Sequence, residues 1–457
     1  MQKMKVLVLV FVLAVMTILA GCGAKSSDSG ASQNTQGGES TAESSAEPTS
    51  AEPTELTVIN QDRWAPYVEK AVKIWNEQHP DKQVKLNQLV LGYPQLRQKI
   101  TTAAAAGQAP DFSLIDSVWV AEFADAGYLK PLDSIDPDWV ENDFKKDFYP
   151  VFVGGDSYEG KPYAIRSQTD MALIWFRKDW FSQEGIQPPK TWDELMAAAK
   201  HFSQKDVQAK YGNSQGIAFP GGMKAGETTT SLLMPFFWSS GADVFKDGKV
   251  VLDSTESKAA VQFLTDLVGE KASTKEVISY EWDRATKLLA TGKVALSVGG
   301  SYEYAMIKNT TGWSDDEMKE KLGFVPIPAG GSGKVATSAG GMDYVIYEQA
   351  KQPELAMEIL KIVTGPELMK EFVVDTAQNS PRISVTEGLD KDKDWFLAET
   401  GKFLYDANVR PVIPEYAKVS EQIQKMIESA VSGKTPADQA VTEAAKAISD
   451  VTGLPQQ

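Results

Sequence analysis

The sequence has 457 residues, 42% of them hydrophobic, which is more than one ordinary core holds and calls for two or three lobes or domains. Its formal net charge of -16 is repelled by phosphate backbones and argues against nucleic-acid binding. One cysteine excludes an intramolecular disulfide and a multi-cysteine zinc site, and two scattered histidines, His79 and His201, make a poor metal-ligand set.

The chain opens with Lys3 and Lys5 and then an uncharged apolar run, Val6 to Ala20. This is the pattern of a secretory signal, and it is short for a spanning helix, which needs about 20 apolar residues. Leu19-Ala20-Gly21-Cys22 follows, and the single cysteine of the chain stands last in it. The tetrad resembles a bacterial lipobox, which implies a signal peptide of residues 1–21 and a lipid on Cys22. Two acyl chains at about 0.8 kcal/mol per buried CH₂ anchor stably where one does not. Gly23 to Pro53 contains no Val, Ile, Leu, Phe, Tyr or Trp. Such a stretch cannot offset its ordering entropy, so residues 22–53 read as a flexible tether, about 30 Å end to end on average.

From Leu56 strand and helix signals alternate. Leu56–Ile59, Val84–Val90 and Phe112–Ile115 are strand-like. Pro66–His79 carries Val68, Val72 and Trp75 at helical spacing and is stopped by Pro80; a second helix opens at Pro94 and ends near Gly107; a third covers Val118–Ala126. Alternation of this kind predicts a largely parallel sheet covered on both faces, with ligands at the carboxyl ends of strands. Asp62, Arg63 and Trp64 follow the first strand, and Asp116 and Trp119 the third, so these are candidate ligand contacts. A second α/β run starts at Met171, with strands at Ala172–Phe176, Ile217–Phe219, Val294–Val298 and Val345–Ile346. Thr191 and Glu194 fit a capping box. Helical signals cover Ser257–Val268, Arg284–Ala290, Pro353–Val363, Pro366–Thr376, Tyr416–Val431 and Pro436–Val451. Leu232–Trp238 is an apolar, aromatic stretch ended by Gly241.

Several segments, in order, resemble the maltose-binding-like solute-binding proteins of ABC importers. They are Ala106 to Asp111, Phe123 to Asp133, Tyr158 to Ile165, Phe176 to Phe181 (with Arg177 where the family has Asn), Thr191 to Leu195, and Gly292 to Leu296 with Gly300-Ser301-Tyr302. No single motif is specific; their order is. The resemblance implies an α/β, two-lobed periplasmic-binding-protein-like fold of type II. Each lobe is a sheet flanked by helices, with a hinge and an interlobe ligand cleft. One lobe takes residues 54–166 plus 337–378 and the other 170–330 plus 384–457.

A sugar offers hydroxyls and an apolar face, so its site needs flat aromatics beside carboxylates, guanidinium or amides. Trp64 and Trp119 are candidate platforms, while Trp75 and Trp192 read as packing. The resemblance adds Tyr302 and Tyr416 as cleft aromatics, Asp170 as a cleft carboxylate, and Asp62 and Arg63 as sugar contacts. Trp238, at the end of its apolar stretch, is a further candidate. Gly341, Met342 and Asp343 lie where the chain recrosses the cleft, and Arg382, at the last crossing, either reaches ligand or braces the hinge.

The resemblance implies a sugar receptor and not an enzyme, without cofactor or metal, monomeric, lipid-anchored on the outer face of a Gram-positive membrane and delivering to ABC permease subunits. A non-sugar solute such as a peptide, polyamine or metal chelate, an extracellular glycosidase, and an adhesion lipoprotein remain alternatives.

Overall fold

Strands form where apolar runs can be buried on both faces. The structure is a computed structural model that describes residues 52–457; the signal segment, Cys22 and nearly all of the tether lie outside the described residues. The strands of the two main sheets are β1 (Thr54–Asn60), β2 (Val84–Val90), β3 (Phe112–Asp116), β4 (Ala164–Asp170), β5 (Ala172–Arg177), β6 (Gln215–Ala218), β7 (Val294–Gly300), β8 (Leu322–Pro326) and β9 (Gly340–Ile346). Residues of β3, β7 and β9 are buried without alternation, as in a covered central strand, whereas β2 alternates at a sheet edge.

The first sheet has the order β2-β1-β3-β9-β4 and the second β8-β5-β7-β6. Pairing is mixed. β1 runs parallel to β2 and β3, and β6 to β7, but β9 is antiparallel to both β3 and β4, and β5 to both β7 and β8. This corrects the largely parallel sheet expected from strand–helix alternation. The physical reason is the return of the chain: β9 enters the first sheet from the second and runs against its neighbours.

Helices cover the sheets with amphipathic faces. Those that matter here are α1 (Ala65–Gln78), α2 (Tyr93–Ala105), α3 (Glu227–Ser240), α4 (Thr255–Gly269), α5 (Pro353–Val363), α6 (Pro366–Thr376), α7 (Tyr416–Val431) and α8 (Ala437–Thr452). In α1, Val68, Ala71, Val72 and Trp75 face the core, and α5 packs across it. α3 is buried nearly all round and stops where Gly241 adopts φ +99°. α7 and α8 lie against each other and against α4. Thr191 Oγ1 caps its helix by accepting from Glu194 N, but Glu194 reaches back to Lys190 N, not to Thr191.

Two cores result. One is centred on β1, β3 and β9 with α1, α5 and α6 and extends to Val385. The other is centred on β5 and β7 with α3, α4, α7 and α8 and includes Leu389, Phe396 and Leu397. A third, small cluster of Tyr149, Phe152, Met171, Ala339 and Leu404 sits where the chain passes between the sheets. Met171 alone separates β4 from β5, and its backbone is tied at both ends: Met171 N donates to Ser301 Oγ at 3.0 Å, and Ser301 N to Met171 O at 2.8 Å. The return segment is sewn to the same place, with Thr337 Oγ1 donating to Ala172 O at 2.8 Å.

Gly341 has φ +135°, and a Cβ there would collide with the Gln168 carbonyl of the neighbouring strand. Gly341→Ala is expected to destabilise the fold by about 2 kcal/mol or more through strain and backbone displacement, read as a lower urea midpoint at unchanged slope.

Candidate functional site

The carboxyl ends of β2, β3 and β4 face the N-terminus of α3 and the first turns of α7. Between them lies a cavity of about 260 Å³ lined by Tyr93, Trp119, Glu227, Tyr416, Ser420 and Gln424, among others. Its first wall is built by the turn after β2 and the turn after β3. Gly92 and Pro94 flank Tyr93 at the start of α2, and Tyr93 Oη donates to Asp116 Oδ2 at 2.7 Å. Asp116 ends β3, and its Oδ1 accepts from Val118 N at 3.2 Å, shaping the turn that presents Trp119. The Tyr93 and Trp119 rings are 5.5 Å apart, and the Arg97 guanidinium lies 5.7 Å from the Trp119 ring.

The opposite wall centres on Glu227, the first residue of α3. Glu227 Oε1 accepts from Tyr416 Oη and from Arg410 Nη1, each at 2.6 Å, and Oε2 accepts from Ser420 Oγ at 2.5 Å. Ser420 Oγ also accepts from Gln424 Nε2 at 2.9 Å. Tyr416, Ser420 and Gln424 recur at helical spacing, so one face of α7 supplies all three. Burial holds the Tyr416 phenol well above its ordinary value, and the Glu227 charge adds to that, so it stays a neutral donor.

The floor is the crossing. Burial pushes the Asp170 carboxyl up to about 6; Arg410 opposes the shift and Asp116 adds to it. Below it Arg166 is fully buried between two carboxylates, paired with Asp156 and 2.8 Å from Asp343 Oδ1, while its Nη1 donates to Gly340 O at 2.8 Å. Burial raises both carboxyls, Asp343 well above the ordinary range, against the pull of Arg166.

Tyr302 stands at the end of β7 on a turn fixed from behind. Glu303 Oε2 accepts from Gly300 N at 2.8 Å and Thr286 Oγ1 at 2.7 Å. Burial pushes the Glu303 carboxyl up to about 8, so it is protonated at neutral pH. Trp282, half exposed, lies 6.2 Å from the Tyr302 ring.

Of the sequence candidates, Asp116, Trp119, Asp170, Tyr302 and Tyr416 gather in this region. Others do not. Trp64 is buried in the first core like Trp119 but does not line this cavity: its ring is tilted against Phe372 and its indole donates to Ser167 Oγ at 3.0 Å. Asp62 and Arg63 are exposed in the turn after β1 and do not line the cavity. Trp238 packs on the second core at the far end of α3, about 16 Å from Glu227 at 1.5 Å rise per residue. Met342 is a core residue, Gly341 serves close strand approach, and Asp343 is committed to Arg166. Arg382 braces the last crossing: it donates to Thr364 O at 2.6 Å, Asp143 Oδ1 at 2.6 Å and Asp147 Oδ2 at 2.8 Å. His79 and His201 are spent on local contacts with Trp75 and Glu184.

A family of proteins described as bacterial extracellular solute-binding proteins matches residues 59–370. The chain belongs to that family. Among curated relatives of this solute-binding protein is a putative binding protein of Brucella abortus (strain 2308), 26% identical over 388 residues, covering 83% of this chain and 88% of that one. The arabinooligosaccharide-binding protein of Bacillus subtilis (strain 168) is 26% identical over 390 residues, covering 80% and 77%. Among solved structures, maltose-bound MalE3 of T. maritima has a TM-score of 0.72 at 26% identity, over 88% of this chain and 99% of that one. The fold is the two-lobed type II periplasmic-binding architecture. Family members are binding proteins rather than enzymes.

Sequence reasoning missed Tyr93, Glu227, Arg410, Ser420 and Gln424. The end of β2 deserved the same scrutiny as the ends of β1 and β3, and would have found Tyr93. Glu227 directly after Gly226, ahead of an apolar helix, marks a carboxylate at a helix N-terminus.

Glu303 generates a pH prediction. Its folded value near 8 lies above the ordinary 4.5, so the folded protein holds a proton that the unfolded chain releases between those values. Stability therefore falls as pH rises from about 4.5 to about 8, and the cost is fully present above 8. Glu303→Gln is expected to be the more stable partner at pH 9 and to lose that advantage at pH 4, checked by paired urea unfolding.

Proposed function

We propose that this protein is the receptor of an ABC importer, which captures a mono- or oligosaccharide between its lobes and delivers it to membrane permease subunits. The carrying observation is the lining of the cavity. Tyr93, Tyr416, Ser420 and Gln424 supply hydroxyl and amide groups, Glu227 supplies acceptors with Asp116 behind Tyr93, and Trp119 supplies an apolar plane. Ring hydroxyls exchange hydrogen bonds with the first two sets, and the C–H face of a sugar packs on the third. The cavity is slightly below the about 300 Å³ at which small-ligand pockets begin, in keeping with lobes that close over a small saccharide and open to admit it. Ligand contacts made only with the lobes together drive that closure as a population shift. The maltose-bound and arabinooligosaccharide-binding relatives support a carbohydrate ligand.

Capture, not hydrolysis, is the proposed role. The family's members are binding proteins rather than enzymes, which supports capture. The lipobox resemblance supports a diacylglycerol on Cys22 and a place on the outer face of the membrane. Cys22→Ala is expected to move the protein from the membrane to the soluble fraction on cell fractionation.

Thermal unfolding of residues 54–457 against mono- and oligosaccharides, with peptides and polyamines as controls, tests the ligand class. A midpoint that rises with one glycan class is the expected result. A rise only with peptides or polyamines overturns the sugar reading. Trp119→Ala is expected to weaken the responding glycan roughly tenfold or more through lost stacking, read by calorimetry.

A further inference from the structure

Charge is concentrated at one point of the cleft. Asp116 ends β3, Asp170 ends β4 and Glu227 opens α3, and the side chain of Arg410 stands among these three carboxylates at 5% exposure. Its Nη1 donates to Glu227 Oε1 at 2.6 Å, and its Nη2 is 3.7 Å from Asp116 Oδ1. Asp170 and Arg410 meet over Gly340: a Cβ on that residue would collide with Asp170 Oδ1 and come within 3.2 Å of Arg410 Nη2. The other cations nearby are engaged as well: Arg166 by Asp156 and Asp343, and Arg97, which lines the cavity, by Glu122. Burial disfavours the Arg410 charge, but the carboxylates of Glu227, Asp116 and Asp170 together hold it on.

We propose that Arg410 is a specificity-determining residue of this cleft: its charge is committed to carboxylates from both walls, so an acidic glycan finds no free cation, and the receptor selects uncharged glycans over uronates. This rests on the sugar-receptor reading. A guanidinium carries five N–H donors. The hydrogen bond to Glu227 uses one and Nη2 lies toward Asp116 and Asp170, so the carboxylates are neutralised in part and still accept from uncharged hydroxyls of a ligand. A uronate brought here meets a surplus of negative charge in a poorly hydrated site, where like charges cost far more than at the surface. Without Arg410, carboxylates of the two walls would confront each other across the cavity. The cleft would then resist closing on a neutral ligand and favour one bearing a cation.

Calorimetric titration of the full-length protein with three kinds of trisaccharide tests this. The probes are neutral maltotriose and arabinotriose, acidic trigalacturonate, and the cationic glucosamine trimer. Wild-type protein is expected to bind a neutral trisaccharide at least about tenfold more tightly than trigalacturonate. In Arg410→Met the affinity for the neutral ligand falls, and the ratio of cationic to neutral affinity rises about tenfold or more, while Arg410→Lys keeps the wild-type ratio. A residue with a merely structural role would lower all affinities in proportion and leave the ratio fixed, and that result overturns the inference. Wild-type binding of trigalacturonate as tight as that of the neutral sugars overturns it too, and needs no substituted protein to fold. If peptides or polyamines bind and no sugar does, the receptor reading itself fails, which is a separate outcome from a sugar receptor that ignores charge.

Discussion

Everything in this molecule depends on how the chain crosses from one sheet to the other. Met171 is the whole of the first crossing, so the last residue of one strand and the first of the next are fixed within a few ångströms while belonging to different lobes. The backbone groups at such a crossing are buried and must find partners there. Ser301, Ser338 and Thr337 provide them from the second lobe and the return segment, and Asn379 O accepts from Thr169 N at 2.9 Å from the third. With the crossings anchored, the strand ends of both sheets are obliged to face one another, and a cleft between them follows from topology.

Buried charge at the crossings has a different role from buried apolar area. The two cores supply the driving force, at about 1.5–3 kcal/mol for each large aliphatic or aromatic side chain removed from water. Arg166 with Asp156 and Asp343, and Arg382 with Asp143 and Asp147, add little net stability, because desolvation offsets their attraction. Their hydrogen bonds are directional, however, and a register slip of one residue would strand a charge in the interior. They therefore select one arrangement of the crossings over near alternatives.

Most of the scaffold was legible in the sequence. Helices such as Pro353–Val363, Pro366–Thr376 and Tyr416–Val431 begin and end where proline, capping and apolar spacing place them. Local pattern carries that information. Strand direction was not legible, because β9 and β4 acquire antiparallel partners only through contacts far away in the chain. The site was legible in part. Asp116 ends and Trp119 follows a strand whose end faces the cleft, and nothing local distinguishes them from Trp64, which follows an equally good strand and is buried in the same core but lies against Phe372, away from the cavity. Arg410 lies in a loop without periodicity, so only the folded chain shows what it meets.

Gly340 carries a further consequence. Its missing side chain is the space in which the Asp170 carboxylate and the Arg410 guanidinium lie together, although the two residues are supplied by segments 240 positions apart. Substitutions at any of the three positions will therefore not combine additively, because each alters the room and the charge seen by the others. Descendants of this protein that acquire new ligands by stepwise change face a rugged path at this spot and a smoother one at the aromatic rim, where Trp282 is half exposed. Diversification, natural or engineered, should enter through the rim before it reaches the floor.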